Sequence, residues 1–405
     1  VQLIYIYMKS NSNSMVATYF KQLKIYQKQY GPKVILFWQC GSFFEIYGLY
    51  DKKTHEETNM STLSKAQAIC DLTVSNKSMT IDTYNVKMGG VPIFADLNKY
   101  IKKLINEGYT VPVWVQDAKM KTHRHEEFIS TPGTLFIDEE DKLSNNIMCV
   151  WIHVIKKNLI FKSDRLAFGI TIIDSFTAEV KIFQYIINLT HDSCTFDSIE
   201  RLCSIYNPNE ILIIHNYDSE SKIDDIIKYI SSDAAKINIY DVNNKEGVNY
   251  KKLINVQKQN YQEEILKQYY NVYNIDAFKA SLQLLENCYM TNSLCFLLDY
   301  VCSLNKSLIK NIRMPVFEKA NEKLLLANHS LTQLNIIDDK RMKNQFSSVL
   351  NMLNKCVTKM GKRQLSKMLL NPITNIETLN NNYDMIDYIL NDYDAFIEIR
   401  KLFTN

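Results

Sequence analysis

The 405-residue sequence contains no run of the roughly 18 apolar residues that a membrane-spanning helix requires. Its opening VQLIYIYMKS is also too short for the apolar region of a signal peptide. The nine cysteines show no C-x-x-C spacing, which argues against a zinc ribbon and against a disulfide framework. We therefore expect a soluble protein from a reducing, intracellular compartment, with no membrane partner.

No strong excess of charge or of polar residues marks the chain either. Hydrophobic residues make up 46% and charged residues 22%, which excludes the composition of a disordered protein. At 405 residues the chain exceeds what one hydrophobic core usually serves, so we expect two or three domains. The net charge is only +3, but residues 19–124 hold fifteen Lys or Arg against nine Asp or Glu. That local excess permits a polyanionic partner, although a solvated basic surface is its more common cause.

Helical and extended patterns alternate in the first segment, residues 15–120, and predict a mixed α/β domain. The spacing i, i+3, i+4, i+7 of an amphipathic helix is met by Leu97, Tyr100, Ile101, Leu104 and Ile105. Gly108 stands where a C-terminal helix cap belongs. The ranges 34–38 and 109–116 are rich in β-branched and aromatic residues and should be strands.

Residues 121–146 turn polar and are predicted to form a linker. A His-Arg-His cluster brings His123, His125 and Glu126 together in sequence, and such side chains can bind metals. Because no fourth donor lies nearby, we expect solvated side chains and no metal site.

The second segment, residues 147–242, begins with three strand-like stretches and continues with alternating helix and strand. This order predicts an α/β layer fold. Such a fold can host a nuclease built on clustered carboxylates, for which Asp174, Asp192 and Asp197 are the candidates. Asp174 ends a strand, where a turn acid is ordinary, and the other two lead into a helix, whose positive end favours acids. We expect no catalytic residue among them.

Apolar residues at helical spacing dominate the third segment, residues 248–405, and predict a helical bundle. Cys288, Cys295 and Cys302 recur every seven residues on one face of an apolar helix, so buried packing is their expected role. The sequence begins with Val, and it stops at Asn405 just after a helical pattern without a capping signal. We expect it to be an incomplete chain.

Residues 41–48, GSFFEIYG, follow the strand VILFWQC and resemble the Gly-x-Phe-Tyr-Glu motif of the MutS mismatch-binding domain. Further matches follow in family order. DLTVSNKS (71–78) is similar to the family's Leu-Thr turn, and MGGVPIFA (88–95) to its Met-Ala-Gly-Ile-Pro-Tyr-His-Ala segment. STPGT (130–134) is similar to its Thr-Pro-Gly-Thr exit. Ile93 and Phe94 depart from the family's Tyr-His, which affects the contacts expected of that loop.

The second and third segments also resemble parts of the MutS family. FGITIIDSFTAEVKIF (168–183) and IERLCSIYNPNEILI (199–213) loosely resemble the family connector, a ribonuclease-H-like α/β fold without catalytic acids. NHSLTQLNI (328–336) and SSVLNMLNKCVTKMGKRQLSKMLLNPI (347–373) resemble the core signature of its helical lever domain. The resemblance implies a mismatch-binding domain at 15–120, the connector at 147–242 and the N-terminal part of the helical core or lever domain at 248–405.

The resemblance also implies a function, which is binding of double-stranded DNA that carries mismatches or small loops. Phe43 is then the aromatic wedge that stacks on the mispaired base and kinks the duplex, and Glu45 hydrogen-bonds the displaced base. Both side chains should point to the same side if residues 43–45 stay extended. Lys33, Lys77 and Lys99 are candidate contacts to DNA phosphates. On its own, an F-x-E string would indicate a core Phe and a surface Glu.

No G-x-x-x-x-G-K-[ST] motif occurs in the sequence, so we expect neither ATP hydrolysis nor a cofactor in this chain. By resemblance, the complete protein is a DNA-dependent dimeric ATPase that binds ATP and Mg²⁺ in a C-terminal domain. Two alternatives remain. One is a MutS relative that binds branched or recombining DNA, although such relatives usually lack the wedge motif. The other is a metal-dependent nuclease that uses the second segment.

Overall fold

The computed structural model describes residues 15–81, 83–117, 119–120, 122–135, 143–157, 162–189, 193–217, 220–230, 234–305, 312–318, 324, 330–337 and 346–403. The first of its two six-stranded sheets has the strands β1 (Phe37–Cys40), β2 (Phe43–Asp51), β3 (Val74–Ile81), β4 (Tyr84–Pro92), β5 (Val111–Gln116) and β6 (Arg124–Ser130). Its helices are α1 (Met15–Tyr30), α2 (Leu63–Cys70) and α3 (Leu97–Asn106). The mixed α/β character predicted for this segment is therefore confirmed.

The first sheet has the strand order β3-β4-β2-β1-β5-β6, with β1 parallel to β5 and the other neighbours antiparallel. Side chains along β2 alternate between two hydrophobic cores, as a pleated strand requires. Phe44 and Ile46 pack with residues of α2 and α3, whereas Tyr47 and Leu49 pack with residues of α1. The central strands of the sheet are thus covered on both faces, whereas the edge strands β3 and β6 carry exposed side chains.

The helix predicted from residue 97 is confirmed as α3. The side chain of Asp96 caps its N-terminus by accepting a hydrogen bond from the Asn98 backbone, and Gly108 takes a φ of +80° just beyond its C-terminus. The strand predicted at 34–38 is regular only from Phe37, because Val34 forms an isolated bridge to Thr110 instead.

The linker predicted at 121–146 is wrong in part, because residues 124–130 form the edge strand β6 and pair with β5. The strand's outer residues are exposed and polar, and only its last two residues, Ile129 and Ser130, are buried. Backbone hydrogen bonds hold an edge strand of this kind, so its side chains need not be apolar. Its amino-acid composition therefore resembles that of a loop. Residues 136–142, where the acidic run lies, are outside the described residues.

The second sheet has the strands β7 (Asn146–Ile155), β8 (Arg165–Asp174), β9 (Val180–Asn188), β10 (Glu210–His215), β11 (Lys236–Asp241) and β12 (Val316–Phe317). Between β9 and β11 lie a short 3-10 turn (Ser193–Phe196) and the helices α4 (Asp197–Tyr206) and α5 (Glu220–Ile230). The order is β11-β10-β7-β8-β9-β12. β7, β8 and β9 are antiparallel, while β10 runs parallel to both β7 and β11. This confirms the predicted α/β layers.

From Tyr250 onward, most of the residues that the structure describes are helical. Its helices are α6 (Tyr250–Asn255), α7 (Gln259–Tyr270), α8 (Ile275–Ser281), α9 (Cys288–Leu304), α10 (Ser330–Gln333), α11 (Val349–Leu353), α12 (Lys359–Leu370), α13 (Ile376–Asn391) and α14 (Tyr393–Leu402). Part of the NHSLTQLNI segment (328–336) lies outside the described residues. Among the helices that the structure describes, none combines the length and the hydrophobicity that a membrane span needs.

Helix α9 differs from the predicted bundle because it lies on the second sheet, across β7 and β8. Its Ser293 hydroxyl donates to the Cys149 carbonyl at 2.9 Å. The approach is close, since a Cβ atom added at Gly169 would lie 2.0 Å from the Tyr289 carbonyl oxygen. Because α4 and α5 cover the other face, alternate residues of β7 enter two cores.

Cys288 begins α9 and is exposed. The predicted buried packing therefore holds for Cys295 and only in part for Cys302.

One fully buried carboxylate, that of Glu210, connects the three segments. Its two oxygens accept hydrogen bonds from Thr131 at 2.5 Å, Gly133 at 3.2 Å, Asn238 at 3.0 Å and Tyr300 at 2.7 Å. The first two donors belong to the turn that leaves the first sheet, and Tyr300 belongs to α9. Glu210 itself begins β10, so one side chain links the exit turn of the first sheet, the second sheet and this helix.

Glu210→Ala should lower the free energy of unfolding by about 3–5 kcal/mol, because each buried donor left without an acceptor costs roughly 1–3 kcal/mol. Urea denaturation followed by circular dichroism measures the change. Glu246→Ala removes an exposed carboxylate near the second sheet and is the matched control, with an expected change within about 0.5 kcal/mol. Equal, small shifts for the two variants would contradict the role assigned to Glu210.

Candidate nucleic-acid interface

A two-residue turn, Gly41–Ser42, joins β1 to β2 and places Phe43 at the first position of β2. Gly41 has a φ of +60°, a conformation that glycine adopts without strain. Its backbone N–H donates to the Gln116 side chain at 3.1 Å, which ties the turn to the end of β5. The position of Phe43 is therefore set by a tight hairpin rather than by a long loop.

Phe43 and its neighbour Phe44 lie in opposite environments. Phe43 is 46% exposed, whereas Phe44 is 9% exposed and packs in the core beside α2 and α3. In the sheet Phe43 stands between Cys40 on β1 and Pro92 on β4. A large aromatic ring thus reaches solvent at the end of the sheet where the hairpin turns.

Further apolar side chains lie at the same end of the sheet. Ile93 and Phe94, which follow β4, are 44% and 88% exposed, and the Ile93 backbone N–H donates to the Ser42 carbonyl at 2.8 Å. Met120, in the connection from β5 to β6, is 60% exposed. We call Phe43, Ile93 and Phe94 the apolar edge. Contiguous exposed apolar side chains of this kind mark binding surfaces.

Glu45 lies two residues from Phe43 on the same face of β2, as expected for an extended strand. Its side chain is buried to a relative exposure of 10% and accepts hydrogen bonds from the Tyr47 hydroxyl and from Lys77 Nζ, the latter at 3.0 Å. Lys77 Nζ also lies 3.1 Å from the Tyr47 hydroxyl oxygen. Glu45 and Lys77, which the sequence analysis assigned to separate DNA contacts, are thus partners of each other.

Tyr47 anchors this group in the core below the sheet. It is fully buried, and its ring meets that of Tyr19 edge to face at a centroid distance of 4.9 Å. Burial, together with the hydrogen bond to Glu45, holds the pKa of Tyr47 far above its ordinary value. The phenol is therefore protonated near neutral pH, and its hydroxyl donates to the Glu45 carboxylate.

The other two candidate lysines are placed differently. Lys99 is exposed on α3, the helix that begins just after the apolar edge. Lys33 donates to the Glu107 carbonyl at 3.1 Å and precedes β1, whereas Phe43 follows it. At roughly 3.3 Å per residue, the strand separates Lys33 from the apolar edge by about 20 Å. The structure thus brings Lys77 to Glu45 and places Lys99 in the first turn of the helix that follows Phe94, whereas Lys33 lies toward the other end of the sheet.

The histidine cluster of the sequence lies at β6 and has ordinary partners. His125 Nε2 lies 3.4 Å from a Glu127 carboxylate oxygen, and Glu126 accepts a hydrogen bond from the Tyr26 hydroxyl. Within the described ranges, no group of three or more His, Cys, Asp or Glu side chains is arranged to hold a metal ion.

The candidate nuclease acids are occupied in structural roles. Asp174 accepts hydrogen bonds from the Asn145 and Phe176 backbones, both at 3.0 Å, and from the Thr177 hydroxyl at 2.8 Å. Asp197 begins α4 and accepts a hydrogen bond from Tyr229. Asp192 lies outside the described residues. The two described acids close a turn and begin a helix, as their sequence positions indicated.

The sequence reasoning missed Tyr47 as the partner of Glu45, and it did not single out Phe94 as an exposed aromatic. Tyr47 could have been found, because residues 45 and 47 lie on the same face of an extended strand. The pairing of Lys77 with Glu45 was harder to predict, because β3 leaves regular register with β4 between Asn76 and Thr80 and no sequence rule gives that position.

Two protein-family models match the chain. MutS domain I matches residues 17–139 and MutS domain III matches residues 329–405. A putative DNA mismatch repair protein mutS homolog of Acanthamoeba polyphaga mimivirus is 27% identical, over 98% of this chain and 36% of its own length. The DNA mismatch repair protein MutS of Caldanaerobacter subterraneus subsp. tengcongensis is 26% identical, over 98% of this chain and 40% of its own length. The chain thus spans about two fifths of these curated relatives.

Among solved structures, a Fowlpox virus resolvase in complex with Holliday junction DNA is 19% identical, over 38% of this chain and 99% of its own. Its TM-score is 0.23, which does not establish a shared fold.

The contrast between the two adjacent phenylalanines can be tested directly. Phe44→Ala should lower the free energy of unfolding by about 3–5 kcal/mol, because it leaves a cavity in the core. Phe43→Ala should cost less than about 1 kcal/mol, because nearly half of that side chain is already in water. Chemical denaturation of both variants measures the difference, and a large loss of stability for Phe43→Ala would mean that Phe43 is a core aromatic.

Proposed function

This chain belongs to the MutS family of DNA mismatch repair proteins, and on that premise we propose that Phe43 inserts at a mispaired step and kinks the duplex. The observation that carries the proposal is the half-exposed ring of Phe43, held by a tight hairpin beside a buried neighbour. The known family-level role is binding of mismatched DNA; the wedge residue, the kink and the binding of small loops are our proposals for this chain.

The physical basis of such recognition is deformability. A mismatch can occur in any sequence, so its base sequence cannot be the signal, but a mispaired step stacks poorly and is cheaper to bend. An apolar side chain pushed between base steps unstacks them at a cost of a few kcal/mol per step. Stacking of an aromatic ring on the base returns roughly 1–3 kcal/mol. The net cost is therefore lower at a mismatch than at a matched step.

Glu45 adds a polar contact to this apolar one. It shares a strand face with Phe43, and its carboxylate is fixed by Tyr47 and Lys77. We propose that it hydrogen-bonds the displaced base. Exposed lysines such as Lys99 would contact phosphates and supply affinity that does not depend on sequence.

For the rest of the chain we propose the family's organisation, with a ribonuclease-H-like connector at 147–242 and the first part of a helical lever at 248–405. The three antiparallel strands followed by two parallel ones support the first assignment. We also propose that the chain alone hydrolyses no ATP, because it contains no G-x-x-x-x-G-K-[ST] motif, and that the complete protein is a DNA-dependent ATPase that acts as a dimer.

Phe43→Ala should lower the preference for a mismatched over a matched duplex by about 5- to 150-fold, the equivalent of the stacking energy. Affinity for matched DNA and its salt dependence should persist, because phosphate contacts do not need the ring.

Glu45→Ala should reduce discrimination while affinity for matched DNA holds or rises. Fluorescence anisotropy titrations at several salt concentrations measure both quantities.

The matched control is Tyr273→Ala, which removes a fully exposed aromatic ring between α7 and α8 and should leave discrimination unchanged. Equal weakening of both duplexes by Phe43→Ala would contradict the wedge. Tighter binding of a four-way junction than of a mismatch, unaffected by Phe43→Ala, would favour the branched-DNA alternative.

A further inference from the structure

Lys77 makes its closest contacts with Glu45 and Tyr47. Its Nζ lies 3.0 Å from Glu45 Oε2, 3.1 Å from the Tyr47 hydroxyl oxygen and 4.5 Å from the centre of the Tyr47 ring. An ammonium group has three donors and no acceptor, so two of its donors are already used inside the domain. The Lys77 side chain is also only 25% exposed. These contacts leave it poorly placed to serve a phosphate.

The three side chains form a closed triangle. Lys77 donates to Tyr47 and to Glu45, and Tyr47 donates to Glu45. Both donors reach the same atom, Oε2, and Oε1 accepts no hydrogen bond from the residues that the structure describes. Because Tyr47 is fixed in the core by Tyr19, the triangle can hold the carboxylate in one orientation, with one oxygen left for another donor.

The pairing also resolves an electrostatic difficulty. An unpaired carboxylate beside Phe43 would repel the phosphates of a bound duplex. The Lys77 ammonium neutralises that charge at 3.0 Å, in a place where Glu45 is largely shielded from solvent. The pair therefore presents no net charge to DNA while keeping a hydrogen-bond acceptor near the apolar edge.

We propose that Lys77 is a positioning residue for Glu45 and thereby a determinant of mismatch discrimination, rather than a contact to DNA phosphate. This inference rests on the proposed function. Lys77 acts on DNA only through Glu45, by orienting its carboxylate and neutralising its charge. Its removal should then lower the ratio of affinities for mismatched and matched duplexes, while the general affinity loses only what the unpaired Glu45 carboxylate costs by repelling phosphates.

The test is a set of variants of the full chain titrated with a G·T-mismatched duplex and a matched duplex of the same length. Lys77→Met keeps the aliphatic part of the side chain and removes the charge; it should lower the affinity ratio about 3- to 10-fold, with matched binding within about 2-fold of wild type. Lys77→Arg, which keeps the charge and the donors, should restore most of the ratio. With either variant, the slope of log affinity against log salt for matched binding should change by much less than the roughly 0.9 expected for a lost phosphate contact.

Lys99→Met is the matched control, because it removes an exposed lysine from the same domain. If Lys99 binds a phosphate, its removal should weaken both duplexes alike and reduce the slope of log affinity against log salt by about 0.9. The same behaviour in Lys77→Met would overturn the inference.

A double-variant cycle separates a direct role of Lys77 from one that passes through Glu45. In a Glu45→Ala background, Lys77→Met should cause no further loss of the affinity ratio, because its partner is already gone. An additive loss would overturn the inference while leaving the proposed function intact. A wild-type chain that binds both duplexes equally would contradict the proposed function and the inference with it. Thermal unfolding of each variant identifies any that fails to fold, in which case Lys77→Gln replaces Lys77→Met.

Discussion

The arrangement of this protein depends on a single buried acceptor, the Glu210 carboxylate. Four donors from the exit turn of the first sheet, from β11 and from α9 converge on it, and the residues that supply three of them are buried. A buried donor must find an acceptor, so the parts of the chain that supply these donors have to come together around Glu210. This carboxylate therefore acts together with the shared hydrophobic core to hold the first sheet, which carries the apolar edge, against the second sheet and α9.

The features that the sequence predicted well are those that depend on residues close together in the chain. The strand-like stretches at β7 and β8, the spacing of α3 with its Gly108 cap, and the strand before GSFFEIYG each involve neighbours in sequence. The periods of 2 and 3.6 residues encode such features directly. The exposed Phe43 beside the buried Phe44 also follows, because a strand end must send one of two neighbours outward.

The features that escaped prediction depend on distant residues. Glu45 and Lys77 are 32 positions apart and meet only because β4 lies between their strands. Strand β6 looked like a linker because its hydrogen bonds come from the backbone and its side chains face water. Helix α9 looked like part of a bundle, but a largely apolar helix can pack against any apolar surface, and here it packs on the second sheet, where Gly169 permits a close approach. The apolar composition of a helix such as α9 predicts that it is buried, but it does not predict which surface it packs against.

The apolar edge also ties the proposed recognition of DNA to temperature. In the free chain Phe43, Ile93 and Phe94 keep apolar surface in water, and hydrated apolar surface raises the heat capacity. If this edge closes on DNA as proposed, the complex has a lower heat capacity than its separated components. The hydrophobic part of the binding free energy then weakens on cooling. Under the proposed function, the contribution of this edge to the binding of mispaired DNA is therefore smaller in the cold.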